Sequence, residues 1–389
     1  MHTSIHPFAT AIAVATFALI AAGPASAARQ ASGTFQGVDW QAQSTLVGVK
    51  PTGGSNNSPI YSPSFPQYSG VVGLLMNFGA AGSFVCSGTL LNDRRSVLTA
   101  GHCVSEGFGT ATPLSTTVFF NPGIDVNSRI YNAGSGAVTR AASQYFINSA
   151  YTGEVIDQND IAVIRLADLA PDWAVSYGLY TGDLDDVAFN VAGYGLRSEV
   201  GGDLGAPTPA DPPPTAGNNT GRLRQGDNRY DYRWGDSLFQ GFFTDVIAGE
   251  NFFGTAEIEN SWVSDFDNGV PTNDASCLIA QAFGADPNDG SYCDLGLGDL
   301  EVGVAGGDSG GPNFVNGLIS GVNSYGLTFG AGFGDILRGL NTSFGEFSGY
   351  VPVNIHADFI RSSMVPEPNA LALTLLGLAG VAGARRRKT

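Results

Sequence analysis

From about Tyr68 to Val353 the chain is a succession of short runs rich in Val, Phe, Tyr and Thr, each closed within a few residues by Gly, Asn or Asp. Runs of that length suit strands, and the punctuation supplies the turns between them. Helices of ordinary length have no room to form. The 54 glycines and the near absence of lysine, found only at Lys50 and Lys388, point the same way, because surface helices draw on lysine and glutamate. The expected fold class is all-β.

Val71–Met76, Ser83–Leu91, Ser96–Ala100, Ser115–Phe120, Ala137–Phe146 and Asp160–Leu166 read as successive strands, and Asn190–Gly195 closes a first unit of about 68–200. Residues 201–221 hold Pro207, Pro209, Pro212, Pro213 and Pro214. Prolines at that density exclude a central strand or helix, so this is a linker or surface insertion. A second unit runs over about 222–363. Its clearest strands are Asn313–Ser324 and Tyr350–Val353, and a short helix over Asn354–Ser363 ends it. Residues 28–67 are polar and poorly periodic, which suggests a pro-segment or loose arm.

Both ends read as processing signals. Phe8–Ala22 is a short apolar run followed by Ala25-Ser26-Ala27, which marks 1–27 as a signal peptide for a signal peptidase. At the other end Val365-Pro366-Glu367-Pro368 precedes an apolar span, 370–384, and then Arg385-Arg386-Arg387-Lys388. These three parts over 364–389 resemble the PEP-CTERM sorting signal of Gram-negative bacteria. The resemblance implies transient inner-membrane anchoring through 370–384, cleavage by an exosortase-type sorting enzyme, and release to the cell surface or extracellular matrix.

The net charge of −17 argues against nucleic acid or anionic membrane surfaces as partners. Four cysteines in an exported chain imply two disulfides, with three connectivities open. Local pairing gives Cys86–Cys103 and Cys277–Cys293. No CxxC spacing occurs, and only His102 and His356 remain after signal removal, so no metal or other cofactor is expected.

The chemistry sits in Gly307-Asp308-Ser309-Gly310-Gly311-Pro312 and Thr99-Ala100-Gly101-His102-Cys103. A serine hydroxyl is a weak nucleophile at neutral pH and needs a base, which in turn needs a carboxylate to fix its tautomer. The glycines permit a tight turn with backbone N–H groups aimed at a developing oxyanion. Asp160 lies between the two motifs, before the apolar run Ile161–Ile164, where an unpaired carboxylate would be costly.

These motifs, in this order, resemble the trypsin/chymotrypsin-like serine peptidases over roughly 68–363. Phe84–Leu91 and Leu98–Cys103 resemble the family's histidine motif with its disulfide partner. Asn159–Leu166 resembles the aspartate motif, Val191–Gly195 the glycine–aromatic–glycine strand, Gly307–Pro312 the serine motif, and Asn323–Gly326 the strand lining the substrate channel. The resemblance implies two six-stranded antiparallel Greek-key barrels. Ser309 would be the nucleophile, His102 the base, Asp160 its orienting partner, and the N–H groups of Gly307 and Ser309 the oxyanion hole. Asp308 would receive a new N-terminal amine. Gly303 would form the base of the specificity pocket, while Ser324, Tyr325 and Gly326 would bind the backbone of a protein or peptide substrate.

The pattern departs from the family in three places. No basic residue is followed by an Ile-Val-Gly-Gly-like run, and Lys50 precedes Pro51. The pocket base is Gly303, with Glu301 out of register by two. Ala305 stands where a bracing cysteine is usual. Two other functions compete. Gly307–Gly311 also fits the G-x-S-x-G elbow of an α/β-hydrolase esterase, which would need His356. A catalytically silent surface or matrix protein on a peptidase scaffold is the non-enzymatic alternative. Asp265–Gly269 and Asp286–Gly290 resemble fragments of calcium loops and are expected to be solvated turns.

Overall fold

The computed structural model describes residues 30–35, 38–44, 46–47, 61–105, 112–124, 129–196, 201–203, 205, 220–245, 250–337 and 339–364. The expected signal peptide, Lys50, all but Met364 of the expected sorting signal, and the proline-rich 206–219 lie outside the described residues. Among the described residues no helix is long and apolar enough to cross a membrane.

The described residues open with a hairpin of β1 (Gln30–Phe35) and β2 (Val38–Ser44), followed by β3 (Leu46–Val47). The loose arm expected over 28–67 is thus partly ordered into strands. A period of two explains it. Val38, Trp40 and Ala42 are buried while Asp39 and Gln41 are exposed, which is the alternation of a half-buried strand.

Six antiparallel strands then close a barrel: β4 (Val71–Asn77), β5 (Ser83–Leu90), β6 (Ser96–Thr99), β7 (Ser115–Phe120), β8 (Val138–Ile147) and β9 (Ala162–Leu166), in the order β4-β5-β6-β9-β8-β7. Leu74, Val97, Val118 and Val163 fill it and are fully buried. Each such aliphatic side chain removed from water contributes about 1.5–3 kcal/mol.

The second unit comprises β10 (Ala188–Gly193), β11 (Arg224–Arg229), β12 (Tyr232–Arg233), β13 (Thr244–Asp245), β14 (Glu250–Asn251), β15 (Trp262–Phe266), helix α1 (Ala275–Ala282), β16 (Val304–Ala305), β17 (Pro312–Val315), β18 (Leu318–Thr328), β19 (Glu346–Pro352) and helix α2 (Ala357–Ser363). Its main sheet has the order β11-β10-β17-β18-β19-β15-β12, with β2 attached to β18 and β1 to β2. The all-β expectation of two antiparallel barrels holds, the first closed and the second a half-barrel. Aromatic rings dominate the second core. Trp234 stacks on Phe242 and meets Phe239 and Phe243 edge-on.

Three local expectations change. The strand at 190–195 joins the second sheet, pairing with β11 and β17, rather than closing the first barrel. The single strand expected over Asn313–Ser324 is a hairpin. Asn316 and Gly317 both adopt positive φ, 52° and 76°, the backbone of a two-residue type I′ turn. Helix α1 was not expected, although Asp274 caps it by accepting from the Cys277 N–H.

Candidate active site

The three chemical motifs meet where the barrel faces the second sheet. His102 follows β6, Asp160 precedes β9, and Ser309 sits in the turn before β17. His102 is 2%, Asp160 1% and Ser309 2% exposed, so each must find its partners inside the protein.

Asp160 finds three. Its Oδ1 accepts the His102 backbone N–H at 2.8 Å. Its Oδ2 lies 2.7 Å from His102 Nδ1 and accepts the Ser324 hydroxyl at 2.6 Å. A carboxylate can only accept, so the network places the imidazole proton on Nδ1 and leaves Nε2 with a free lone pair. That is the tautomer of a general base. Ser324, expected to bind substrate through its backbone, also uses its hydroxyl to hold Asp160. The β18–β19 register shifts between Asn323 and Tyr325. Such a bulge re-aims the intervening side chain.

The serine turn is pinned from three sides. Ser87 N–H donates to the Ser309 carbonyl and Ser87 Oγ to the Gly307 carbonyl, both at 2.9 Å. Gly310 N–H donates to the Asn323 carbonyl at 2.9 Å. Asn323 Nδ2 donates to the Asp308 carbonyl at 3.2 Å. Gly310 has φ +80°, and a Cβ there would collide with Thr99 Oγ1, so only glycine fits. Among the described residues neither Gly307 N–H nor Ser309 N–H has an acceptor. Ser309 Oγ is buried without a hydrogen-bond partner, and no bond joins it to His102 Nε2. Ser87 was not singled out in the sequence. A serine beside a half-cystine carries no signal beyond its motif.

The Cys86–Cys103 disulfide ties β5 to the histidine loop, and Cys277–Cys293 closes the loop after α1. Cys103 Sγ is 3.8 Å from His102 Nε2 and 3.5 Å from the Ser309 carbonyl oxygen. Cys86, His102 and Cys103 cluster closely, but disulfide sulfurs are not thiolate ligands.

Asp308 is buried. Its Oδ1 accepts the Gly195 N–H at 2.8 Å. A Cβ on Gly193 would collide with the same oxygen. Burial pushes the carboxyl up to about 7, against the opposing hydrogen bonds from Gly195 and Ser87. No amine accompanies it among the described residues.

The expected pocket base, Gly303, faces Thr342 and Phe266. Glu301 is buried and takes the N–H groups of Leu297 and Asp267 at 2.8 and 3.1 Å. Tyr325 sends its ring into the second core, where its hydroxyl accepts from Trp234 Nε1 at 2.9 Å. Its backbone and that of Gly326 pair with β2 on one side and β19 on the other. His356 is committed elsewhere. Its Nε2 lies 2.7 Å from the Gln158 carbonyl and its Nδ1 3.2 Å from Asn148 Nδ2. With an antiparallel architecture, this leaves no support for the esterase arrangement.

The solvated turn expected at Asp265–Gly269 is corrected. Asp265 lies in β15, and Asp265, Asp267 and Asp274 are all buried, with carboxylate oxygens within 4.8 Å of one another. They are hard oxygen donors of the kind that hold calcium or magnesium. Burial and mutual repulsion push the Asp265 and Glu301 carboxyls well up. Asp286–Gly290 is an exposed turn, as expected.

Known proteins supply three comparisons. No curated protein matches the chain. Among solved structures, HL collagenase is similar with a TM-score of 0.45 and 16% identity, covering 78% of this chain and 96% of that one. Protease Anisep from Arthrobacter nicotinovorans is similar with a TM-score of 0.41 and 16% identity, covering 72% and 89%. Residues 64–201, which carry His102 and Asp160 but not Ser309, match the model of the trypsin family.

Proposed function

We propose that the chain is an exported serine endopeptidase of the trypsin type. Its peptidase domain would span 68–363, between a signal peptide and arm at 1–67 and a PEP-CTERM sorting signal at 364–389, and would act at the bacterial cell surface or matrix. One observation carries the catalytic reading: a buried His102–Asp160 contact of 2.7 Å leaves Nε2 free beside a serine turn whose Oγ has no other partner.

In this reading His102 Nε2 takes the Ser309 proton as Oγ attacks the scissile carbonyl. Asp160 stays ionised and stabilises the imidazolium. The N–H groups of Gly307 and Ser309 receive the oxyanion. His102 then protonates the leaving amine, which yields an acyl-Ser309. Water attacks the acyl group by the same route in reverse and frees the carboxylic acid. Thr342 and Phe266 around Gly303, with Glu301 engaged elsewhere, support cleavage after uncharged rather than Arg or Lys residues.

The test is hydrolysis of a mixed peptide library read by mass spectrometry. Ser309→Ala should lower the rate at least about a thousandfold and leave the circular dichroism spectrum unchanged. The silent-scaffold reading draws on the missing Ser309–His102 hydrogen bond. It prevails if the folded, fully processed protein cleaves nothing.

A further inference from the structure

We infer that the N-terminal hairpin is a built-in occupant of the peptide-binding edge, so that the intact chain competes with its own substrate; this rests on the peptidase reading above. The edge in question belongs to β18. Its first half, Leu318–Val322, is covered by β17. The ladder continues toward the serine turn through the bonds between Gly311 and Asn323 and between Gly310 and Asn323. β17 departs there, and the rest of the same edge would be open. Instead β2 covers it, pairing Gln41 with Thr328, Ala42 with Leu327, Gln43 with Gly326 and Ser44 with Tyr325.

Direction matters as much as position. The pairing is antiparallel, so β2 advances from Thr328 toward Tyr325 and hence toward the turn that carries Ser309. An extended peptide docked on this edge for attack by Ser309 would run the same way, with its scissile bond beyond the docked strand. β3 then crosses to the opposite wall, where Leu46 and Val47 pair with Ala305 and Val304 of β16, four and five residues before Ser309. One stretch of chain therefore bonds to both walls beside the nucleophile. A strand edge takes an added strand through main-chain bonds whatever its sequence, and a second peptide cannot use bonds already taken.

The hairpin is anchored outside the cleft. The Trp40 ring lies 5.0, 5.3 and 5.4 Å from those of Phe243, Phe252 and Phe253. Its Nε1 is buried with no hydrogen-bond partner, and a donor left unmade weakens the docked state. Trp40 is thus a handle for loosening β2 without touching the cleft.

The experiment reads binding and chemistry separately. Three chains are made in full length and as Ser309→Ala versions: unaltered, lacking residues 28–47, and Trp40→Ala. A fluorescein-labelled synthetic peptide of residues 38–47 is titrated onto the Ser309→Ala set by anisotropy. A tethered strand has an effective concentration in the millimolar range, so the shortened chain should bind the peptide at least about tenfold more tightly than the full chain, with Trp40→Ala between them. In the Ser309 set, KM for peptide hydrolysis should fall in the same order, while fluorophosphonate labelling, which needs no docked strand, stays equal. Equal peptide affinity in all three chains, with matching circular dichroism spectra, overturns the inference. Absence of fluorophosphonate labelling in every chain overturns the peptidase reading instead, and the anisotropy series still decides whether β2 occupies the edge.

Discussion

Replacing Asp308 by asparagine keeps the size and the acceptor oxygen of the side chain while removing its charge. The carboxyl is raised from 3.8 to about 7, chiefly because burial disfavours the ionised form. Each unit of pKa difference between folded and unfolded chains is about 1.36 kcal/mol. The unfolded chain ionises this group above pH 3.8 and the folded chain only near 7, so over that interval the folded state holds the extra proton and stability falls as pH rises. Above pH 7 the loss is complete and amounts to about 4 kcal/mol at pH 8. Asparagine stands in for the protonated carboxyl at every pH. The Asp308→Asn protein should therefore be more stable than the parent by up to about 4 kcal/mol at pH 8, and the gap should close near pH 3.5. Urea unfolding with disulfides intact, run from pH 3.5 to 8.5, measures it. A variant that is less stable at pH 8 would refute the reasoning. It would mean that a cation such as a liberated N-terminal amine holds Asp308 ionised.

Other predictions are simpler. Ser324→Ala removes a charge-assisted bond to Asp160 worth about 1.5–3 kcal/mol; kcat should fall about 10- to 100-fold with little change in KM, and an unchanged kcat would contradict a role for this hydroxyl in holding Asp160. Gly310→Ala sets a Cβ against Thr99 Oγ1 at φ +80°; the soluble protein should lose fluorophosphonate labelling, and normal labelling would contradict the packing of the turn. Asp265 and Glu301 are pushed up by burial and by their acidic neighbours, so the folded chain retains protons there that the unfolded chain releases above about pH 4. Asp265→Asn with Glu301→Gln should therefore flatten the fall of stability as pH rises above about 4. An unchanged slope would place the titration elsewhere.

Much of the architecture was legible because strand periodicity and turn residues are local. The runs at 71–76, 83–91 and 115–120 became β4, β5 and β7 with little change of bounds. His102 and Ser309 could be proposed because each lies in a run of small residues, and Asp160 because it stands before the apolar run Ile161–Ile164. Long-range pairing was not legible. Nothing in Asn190–Gly195 says which sheet it joins, since an edge offers the same backbone groups to any partner. The contact of the Ser324 hydroxyl with Asp160 was not legible either, because it depends on the register shift between Asn323 and Tyr325. The Val38-x-Trp40-x-Ala42 alternation was present in the sequence, but the polar residues around it masked a strand whose burial depends on Phe243, Phe252 and Phe253, two hundred residues away. Asp265 and Asp267 read as a solvated turn because their company, Asp274 and Glu301, arrives only through folding.

The most direct test of the central claim is fluorophosphonate labelling of the chain lacking residues 28–47, with intact mass and peptide mapping of the adduct. The account predicts one adduct per chain, on Ser309, absent from Ser309→Ala and at least about a hundredfold slower in His102→Ala. A folded, disulfide-bonded protein that takes no adduct, or takes it on another residue, would contradict it.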